Sequence, residues 1–137
     1  MYEYSREVFY YETDKMAVVH HSNFIRWLEE ARTKFFDDAG MPYEKTEELG
    51  VLSPVTGMSF QFKHFARFGD RFTVRLRMTK YTGVRFVISF VIVNQDGELL
   101  MEGESRHAFV SAGTYRPVPL QKALPRIHER MKLYVEE

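Results

Sequence analysis

The chain has 137 residues, 45% of them apolar and 15% aromatic, which predicts one folded domain over residues 1–137 rather than two domains or a disordered chain. Nineteen basic residues balance nineteen acidic ones, so no overall charge attracts nucleic acid or an anionic membrane. The absence of cysteine excludes disulfides, thiolate nucleophiles and thiolate metal sites, and fits a cytoplasmic location. No run approaches the roughly eighteen apolar residues of a membrane span.

The first part of the chain predicts one strand and one long helix. Residues 4–13 are rich in Tyr, Phe and Val without a helical period, which predicts a strand that leads into a loop at Asp14. Apolar side chains then recur at helical spacing. We therefore predict a helix over residues 23–39, with Ser22 as its N-cap and Gly40 in the left-handed conformation at its C-terminal end.

Four strand-like runs separated by turns follow the helix. They cover residues 55–65, 71–79, 84–93 and 98–111. The second run alternates apolar and polar residues, which predicts one buried face and one exposed face. The third is apolar on both faces, as is typical of a central strand. Two prolines then break the pattern, and a short tail helix is predicted near residues 127–134.

This order of elements predicts an α+β fold in which an antiparallel five-stranded sheet wraps around one long central helix. The arrangement resembles the hotdog fold. A single small sheet leaves open strand edges, which proteins normally pair or cover, so we expect a homodimer or a dimer of dimers.

The loop between the first strand and the helix carries the candidate chemistry. It places the Asp14 carboxylate and the His20 and His21 imidazoles beside a helix N-terminus. The unpaired N–H groups near His21 to Phe24 would point out of the positive end of the helix. Hydrolysis of a thioester requires a base or nucleophile at the carbonyl carbon and hydrogen-bond donors at its oxygen, and this loop contains both kinds of group.

The same loop resembles the active-site loop of the 4-hydroxybenzoyl-CoA thioesterases and YbgC-type acyl-CoA thioesterases in residue type and in spacing. The resemblance implies that Asp14 is the catalytic carboxylate, that His21, seven residues later, takes part in catalysis, and that Asn23 matches a further family position. It continues through residues 26–32 and, more loosely, to residues 116–119. Lys15-Met16-Ala17 replaces a glycine-containing turn, and His20 replaces an apolar or aromatic residue, so both departures bear on loop shape and substrate.

Coenzyme A carries phosphates, so its site needs local cations and backbone donors even on a protein without net charge. The turn at residues 80–85 is the candidate, although an ordinary solvated hairpin end would show the same residues. The resemblance implies that the CoA phosphates and the substrate contact two groups of residues, which are Thr82, Gly83 and Arg85 in the turn, and His20, Ser22 and Asn23 in the loop.

Several residues also have structural interpretations. Asp14 suits a loop turn and His21 suits a helix cap. Glu29 and Glu30 are interpreted as ion-pair partners of Arg26 or Arg32, although in other hotdog thioesterases a helix carboxylate is the nucleophile. The remaining histidines, His64, His107 and His128, are interpreted as structural. We predict neither a metal nor a separate cofactor, because adjacent histidines rarely point at one ion and no third ligand lies at a motif spacing.

The predicted activity is hydrolysis of an acyl-CoA thioester to a free acid and CoA, in a cleft that the resemblance places between two subunits. One alternative is a hotdog hydratase or dehydratase of acyl thioesters, although the seven-residue spacing from Asp14 to His21 resembles the thioesterases better. The other is a non-catalytic acyl-CoA-binding module. Such sensors usually carry a DNA-binding segment, for which we expect no spare length here.

Overall fold

The computed structural model describes residues 1–136 and confirms the predicted α+β fold, with a five-stranded sheet packed on one long helix. The strands are β1 (Tyr2–Glu7), β2 (Val51–Leu52), β3 (Val55–Phe62), β4 (Arg71–Tyr81), β5 (Arg85–Asn94), β6 (Leu99–Ala108) and β7 (Val110–Ser111). The helices are α1 (Ser22–Asp38), α2 (Tyr43–Glu48), α3 (Leu120–Ala123) and α4 (Pro125–Leu133).

The main sheet is antiparallel and has the strand order β1-β4-β5-β6-β3. Strand β5 is therefore central, as its apolar sequence predicts. Strands β1 and β3 form the two edges, and β2 pairs with β7 in a separate two-stranded sheet. The loop that precedes α1 leaves the β1 edge, so it lies where the helix begins to cross the sheet.

The core lies between α1 and the inner face of the sheet. Strand β4 shows the predicted alternation, with its inward side chains fully buried and its arginines on the outer face. On α1, Trp27 and Leu28 are also fully buried. The Trp27 ring stacks on Phe72 of β4, with 3.8 Å between ring centroids. Burial of each such side chain stabilises the fold by roughly 1.5–3 kcal/mol, so this contact fixes the helix on the sheet.

The C-terminal end of α1 follows the prediction closely. The helix ends at Asp38, one residue before the predicted end, and Gly40 has φ 77°. The N–H of Met41 donates to the carbonyl of Phe36 at 2.8 Å, which satisfies a carbonyl that the helix leaves open. Gly40 is therefore the left-handed residue that the sequence predicts.

The predicted first strand over residues 4–13 is wrong at both ends. Strand β1 stops at Glu7, and Tyr10–Glu12 form a 3-10 turn. The turn forms because the carboxylate of Glu12 is buried and accepts the N–H of Phe9 at 2.8 Å, which bends the chain back toward α1. Asp14 is therefore reached through a turn rather than from the end of a strand.

Other predicted boundaries also shift. Ser22 is the first residue of α1 rather than its N-cap, and His21 occupies the cap position. The predicted strand over residues 98–111 is two strands, β6 and β7, because the N–H of Phe109 leaves the sheet and donates to the carbonyl of Val84 at 2.7 Å. The tail helix is confirmed as α4, which begins with Pro125 in its first turn.

Within residues 1–136, no helix has both the length and the apolar character needed to span a membrane.

Candidate functional site

A cavity of about 480 Å³ opens beside the loop that precedes α1, and both Asp14 and His21 line it. The structure therefore brings together the two residues that the sequence singles out as catalytic. Most of the remaining wall is apolar or aromatic, and Phe24 of α1 and Phe62 of β3 face each other edge to face, with 5.5 Å between centroids. The cavity has one carboxylate, one imidazole from the loop and an apolar interior.

The Asp14 side chain uses one of its oxygens to shape the loop. Its Oδ1 accepts the N–H of Met16 at 2.8 Å, and its backbone carbonyl accepts the N–H of Ala17 at 3.0 Å. The structural interpretation of Asp14 as a turn residue is thus confirmed. Among the hydrogen bonds of residues 1–136, none involves Oδ2 of Asp14, so this oxygen is available to a bound molecule.

Ala17 completes the turn in a left-handed conformation, with φ 63°. An L residue other than glycine is destabilised there by about 1 kcal/mol. The loop therefore keeps the shape of a glycine-containing turn without the glycine, and the exposed Lys15 and Met16 side chains lie at its tip.

The first turn of α1 offers fewer free donors than its position suggests. The N–H groups of Ser22, Asn23 and Phe24 donate to Nδ1 of His20, the carbonyl of His20 and the carbonyl of His21, respectively. The expectation of a row of unpaired N–H groups is therefore wrong. Of the first-turn amides, only that of His21 has no acceptor among residues 1–136.

The two neighbouring histidines have different environments. The His20 ring caps the helix, because its Nδ1 accepts the N–H of Ser22 at 3.2 Å and lies 2.8 Å from Oγ of Ser22. The His21 ring makes no capping hydrogen bond. It lies against His20 in a tilted arrangement, with 4.2 Å between ring centroids, and packs edge to face with Phe62 at 6.1 Å. His21 is therefore the loop imidazole that is exposed in the cavity wall.

The other loop residues predicted to bind substrate lie outside the cavity wall. Asn23 is buried, and its Nδ2 donates to the carbonyl of Glu12 at 3.0 Å. Ser22 accepts a hydrogen bond from Arg26 at 3.2 Å. Together with His20, these side chains connect the loop to the helix, and contact with substrate stays a prediction for all three.

Sequence reasoning missed a buried ion pair directly below the loop. The carboxylate of Glu12, which is 3% exposed, accepts two hydrogen bonds from Arg6, at 2.8 and 2.9 Å, and one from Nε1 of Trp27 at 2.8 Å. Burial alone would raise its pKa, but the donors of Arg6, Phe9 and Trp27 hold the pKa of Glu12 below its ordinary value of 4.5. The one signal in the sequence is that Glu12 directly follows three consecutive aromatic residues, Phe9-Tyr10-Tyr11.

The helix carboxylates form ion pairs, as the sequence suggests, although one partner differs. Glu29 pairs with Arg32 on the same helix. Glu30 pairs instead with Arg6 of β1, at 2.8 Å, and also accepts the hydroxyl of Tyr4 at 2.7 Å. Neither carboxylate lines the cavity.

The turn proposed for the CoA phosphates lies away from the cavity wall of this chain. Oγ1 of Thr82 accepts the N–H of Arg85 at 3.1 Å, which closes the hairpin. Gly83 is buried beneath Gln121, and its carbonyl accepts the N–H of Leu120 at 2.9 Å. Arg85 is exposed. A role for the three turn residues in CoA binding stays a prediction.

Two polar residues of the cavity wall were not predicted as site residues. Lys63 and His64 follow β3 and line the cavity, and Nδ1 of His64 also lies 2.9 Å from the carbonyl oxygen of Leu99, so a structural role for His64 stays a prediction. Within residues 1–136, no group of three or more His, Cys, Asp or Glu side chains is arranged to hold a metal ion.

A second buried polar cluster lies further along α1. Arg32, 6% exposed, contacts Nδ1 of His107 at 2.9 Å, and Nε2 of His107 lies 2.7 Å from the hydroxyl of Ser105. Burial, with a further contribution from the Arg32 cation, lowers the pKa of His107 to about 3. His107 and His128, which contacts the Tyr81 hydroxyl at 2.7 Å, thus have structural contacts, as interpreted.

The chain is similar in sequence and structure to proteins that are named as thioesterases. The family model described as the thioesterase-like superfamily matches residues 8–127. YneP of Bacillus subtilis, named as a candidate acyl-CoA thioesterase, is 35% identical over 122 residues, which are 89% of this chain and 88% of that protein. YbgC of Escherichia coli, an acyl-CoA thioester hydrolase, is 25% identical over 90% of this chain and 92% of its own length. The DHNA-CoA thioesterase of Staphylococcus aureus superposes with a TM-score of 0.91 and 30% identity, over 96% of this chain and 89% of that one.

Proposed function

The chain belongs to the thioesterase-like superfamily, and we propose that it hydrolyses an acyl-CoA thioester to the free carboxylic acid and CoA. The observation that carries this proposal is the cavity at the start of α1, which both Asp14 and His21 line. The relatives named as acyl-CoA thioesterases support the same reaction class.

Asp14 is the group we propose to start the reaction. With Oδ1 held by the N–H of Met16, Oδ2 has no hydrogen-bond partner among residues 1–136 and is free to act on a thioester carbonyl in the cavity. As a general base, Asp14 takes a proton from water while the oxygen of that water attacks the carbonyl carbon. As a nucleophile, it attacks that carbon itself, and water then hydrolyses the resulting anhydride. In both cases the C–S bond breaks and the CoA thiolate leaves and takes up a proton.

The N-terminus of α1 is the group that would stabilise the negative oxygen of the tetrahedral intermediate. The N–H of His21 is the first-turn amide with no acceptor among the described residues, and the positive end of the helix favours negative charge nearby. The exposed His21 ring, on the same residue, would orient the water or the substrate, or protonate the leaving thiolate.

The wall of the cavity suggests the class of acyl group. Phe24, Phe62 and Phe65 line it together with Met16 and Val18, and about 480 Å³ is ample for an aromatic or medium-chain acyl group. An aromatic acyl group that packs against one of these rings would gain roughly 0.5–1.5 kcal/mol for each ring contact, beyond the burial of its surface.

We propose that two subunits complete the site. Strand β3 is an open edge of the sheet, and Phe62 at its end is 45% exposed and lines the cavity. A second copy paired along this edge would cover the cavity and add polar groups that the chain itself does not place there. The turn residues Thr82, Gly83 and Arg85 would then contact CoA from the neighbouring subunit.

Release of free thiol from short, medium, long and aromatic acyl-CoA esters tests the proposal. Wild-type protein should hydrolyse at least one class, and Asp14→Asn should lower kcat by at least about 100-fold, because the amide cannot accept the proton or attack. Asp37→Asn is the matched control at the opposite end of α1 and should behave as wild type.

The alternatives give different results in the same samples. A hydratase would consume an unsaturated acyl-CoA without releasing thiol, and a binding module would retain acyl-CoA unchanged. Either result, with no thiol released from any ester, would contradict the proposed hydrolysis.

A further inference from the structure

We propose that Glu12 is a positioning residue, which holds the Asp14 loop in its reactive geometry by joining β1, α1 and the base of the loop. This inference rests on the proposed function. Glu12 itself lies outside the cavity wall, so it acts through the residues that follow it rather than on the substrate.

The side chain of Glu12 joins three separate segments. Oε1 accepts the N–H of Phe9 at 2.8 Å and one guanidinium nitrogen of Arg6 at 2.9 Å. Oε2 accepts the other guanidinium nitrogen at 2.8 Å and Nε1 of Trp27 at 2.8 Å. Because Arg6 lies on β1 and Trp27 on α1, the carboxylate sets the distance between strand, helix and turn.

The backbone of Glu12 closes the base of the loop. Its carbonyl accepts the N–H of His20 at 2.9 Å and Nδ2 of Asn23 at 3.0 Å. A bridge between Thr13 and Val19 adds a second closure immediately above. Asp14 lies two residues after Glu12, and His21 lies one residue after His20, so a shift of Glu12 would move both cavity residues.

Only a carboxylate satisfies this environment. Four donors surround the two oxygens of Glu12, and a carboxylate can accept from all of them. The amide of a glutamine has one accepting oxygen, and its NH₂ would face two donors instead. Glu12→Gln therefore preserves size but forces the turn to move.

Glu30 offers a matched control. It gives Arg6 a second carboxylate at 2.8 Å, and its hydrogen bonds among residues 1–136 go to Arg6 and Tyr4, with none to the loop. Glu30→Gln therefore removes a similar charge from the same cation without disturbing the loop directly.

Two measurements on wild type, Glu12→Gln and Glu30→Gln test the inference. The first is kcat and KM for the preferred acyl-CoA. The second is hydrogen exchange of the amides in residues 13–21, which needs no substrate. In Glu12→Gln, kcat should fall by about 10- to 100-fold with KM changed by less than about 3-fold, because a misplacement near 1 Å costs rate on that scale. The loop amides should exchange faster in Glu12→Gln than in wild type, and at the wild-type rate in Glu30→Gln.

Trp27→Phe keeps an aromatic ring beside Phe72 and removes the Nε1 donor together with part of the buried indole ring, so it tests the same link if Glu12→Gln does not fold. It should produce a smaller change in kcat and exchange, in the same direction. Equal losses of kcat in Glu12→Gln and Glu30→Gln, or unchanged loop exchange in both Glu12→Gln and Trp27→Phe, would overturn the positioning role. Absence of hydrolysis by wild type would refute the proposed function, and loop exchange would still decide the role of Glu12.

Discussion

Two buried polar clusters contact the same helix but are balanced in different ways. In the Glu12 cluster (Arg6, Glu12, Trp27 and Glu30), cation and carboxylates compensate each other, and every oxygen of Glu12 has donors. In the His107 cluster (Glu29, Arg32, Ser105 and His107), a buried guanidinium faces an imidazole, and Nε of Arg32 has no partner among residues 1–136. The first cluster is held together by charge, whereas the second requires a neutral histidine.

The two clusters also differ in their position relative to the Asp14 loop. The Glu12 cluster lies under the reactive loop, where a fixed geometry matters for Asp14. The His107 cluster lies between α1 and β6, and none of its four residues lines the Asp14 cavity. The first cluster should therefore affect turnover and stability together, and the second should affect stability alone.

The largest expected effect is the loss of the cation from the first cluster. Arg6→Met leaves the Glu12 carboxylate buried without its charge partner, and we expect the free energy of unfolding in urea to fall by about 3–5 kcal/mol. Arg106→Met is the control, because Arg106 and Glu104 pair on the surface at 46% and 44% exposure, and it should cost less than about 1 kcal/mol. Similar losses in the two variants would remove the distinction between a buried and an exposed pair.

The next effect is a dependence of stability on pH from His107. The folded pKa of about 3 lies below the ordinary 6.5, so the unfolded chain binds the proton more readily between these values. Folding stability is thus highest above pH 6.5 and falls by roughly 1.4 kcal/mol for each pH unit as the pH decreases toward 3. His107→Gln should flatten this part of the urea-unfolding profile.

The two clusters should change folding stability over different pH ranges. The lowered pKa of Glu12 gives stability that is present above pH 4.5 and is lost only as pH falls through its lower folded value. Glu12→Gln should therefore flatten the profile below pH 4.5 and leave the slope near pH 5 to 6 intact. A slope near pH 6 that survives His107→Gln would contradict the assignment.

A smaller effect is expected when the same substitution is made in the second cluster. Arg32→Met removes the cation that pairs with Glu29, but the Glu29 side chain is 42% exposed and can be hydrated by solvent instead. We expect a loss of only about 1–2 kcal/mol in the urea titration, because the large penalty for breaking a buried pair arises only when the remaining charge is left buried and unpaired. A loss as large as that of Arg6→Met would show that the clusters are equivalent.

The smallest expected effect is at the tip of the loop. Ala17 has φ 63°, so Ala17→Gly should relieve strain that exceeds the entropic cost of glycine and should raise stability by about 0.5 kcal/mol. Ala123→Gly, at the end of the helical segment α3, should lower stability by up to about 1 kcal/mol. A destabilised Ala17→Gly would mean that the alanine side chain contributes more by packing than the backbone loses by strain.

The sequence predicts most of the fold because its signals are local. Alternation marks β4, a doubly apolar run marks the central β5, and Gly40 marks the end of α1. Asp14 and His21 are singled out by residue type and spacing, through the resemblance of their loop to a thioesterase active-site loop. Glu12 could not be assigned in this way, because its partners Arg6 and Trp27 become neighbours only when β1 and α1 pack together. The sequence likewise does not show that the N–H of His21 is the unpaired donor. This depends on the ring of His20, which accepts the N–H of Ser22 and so caps the helix in place of a Ser22 side chain.

The most direct test compares kcat for one acyl-CoA ester and the melting temperature in Asp14→Asn and Glu12→Gln. Asparagine can still accept the N–H of Met16, so Asp14→Asn should lose turnover by at least about 100-fold and melt within a few degrees of wild type. Glu12→Gln should lose part of its turnover and also melt well below wild type. Near wild-type turnover in Asp14→Asn would contradict the account, because the carboxylate in the cavity would then play no part in the reaction.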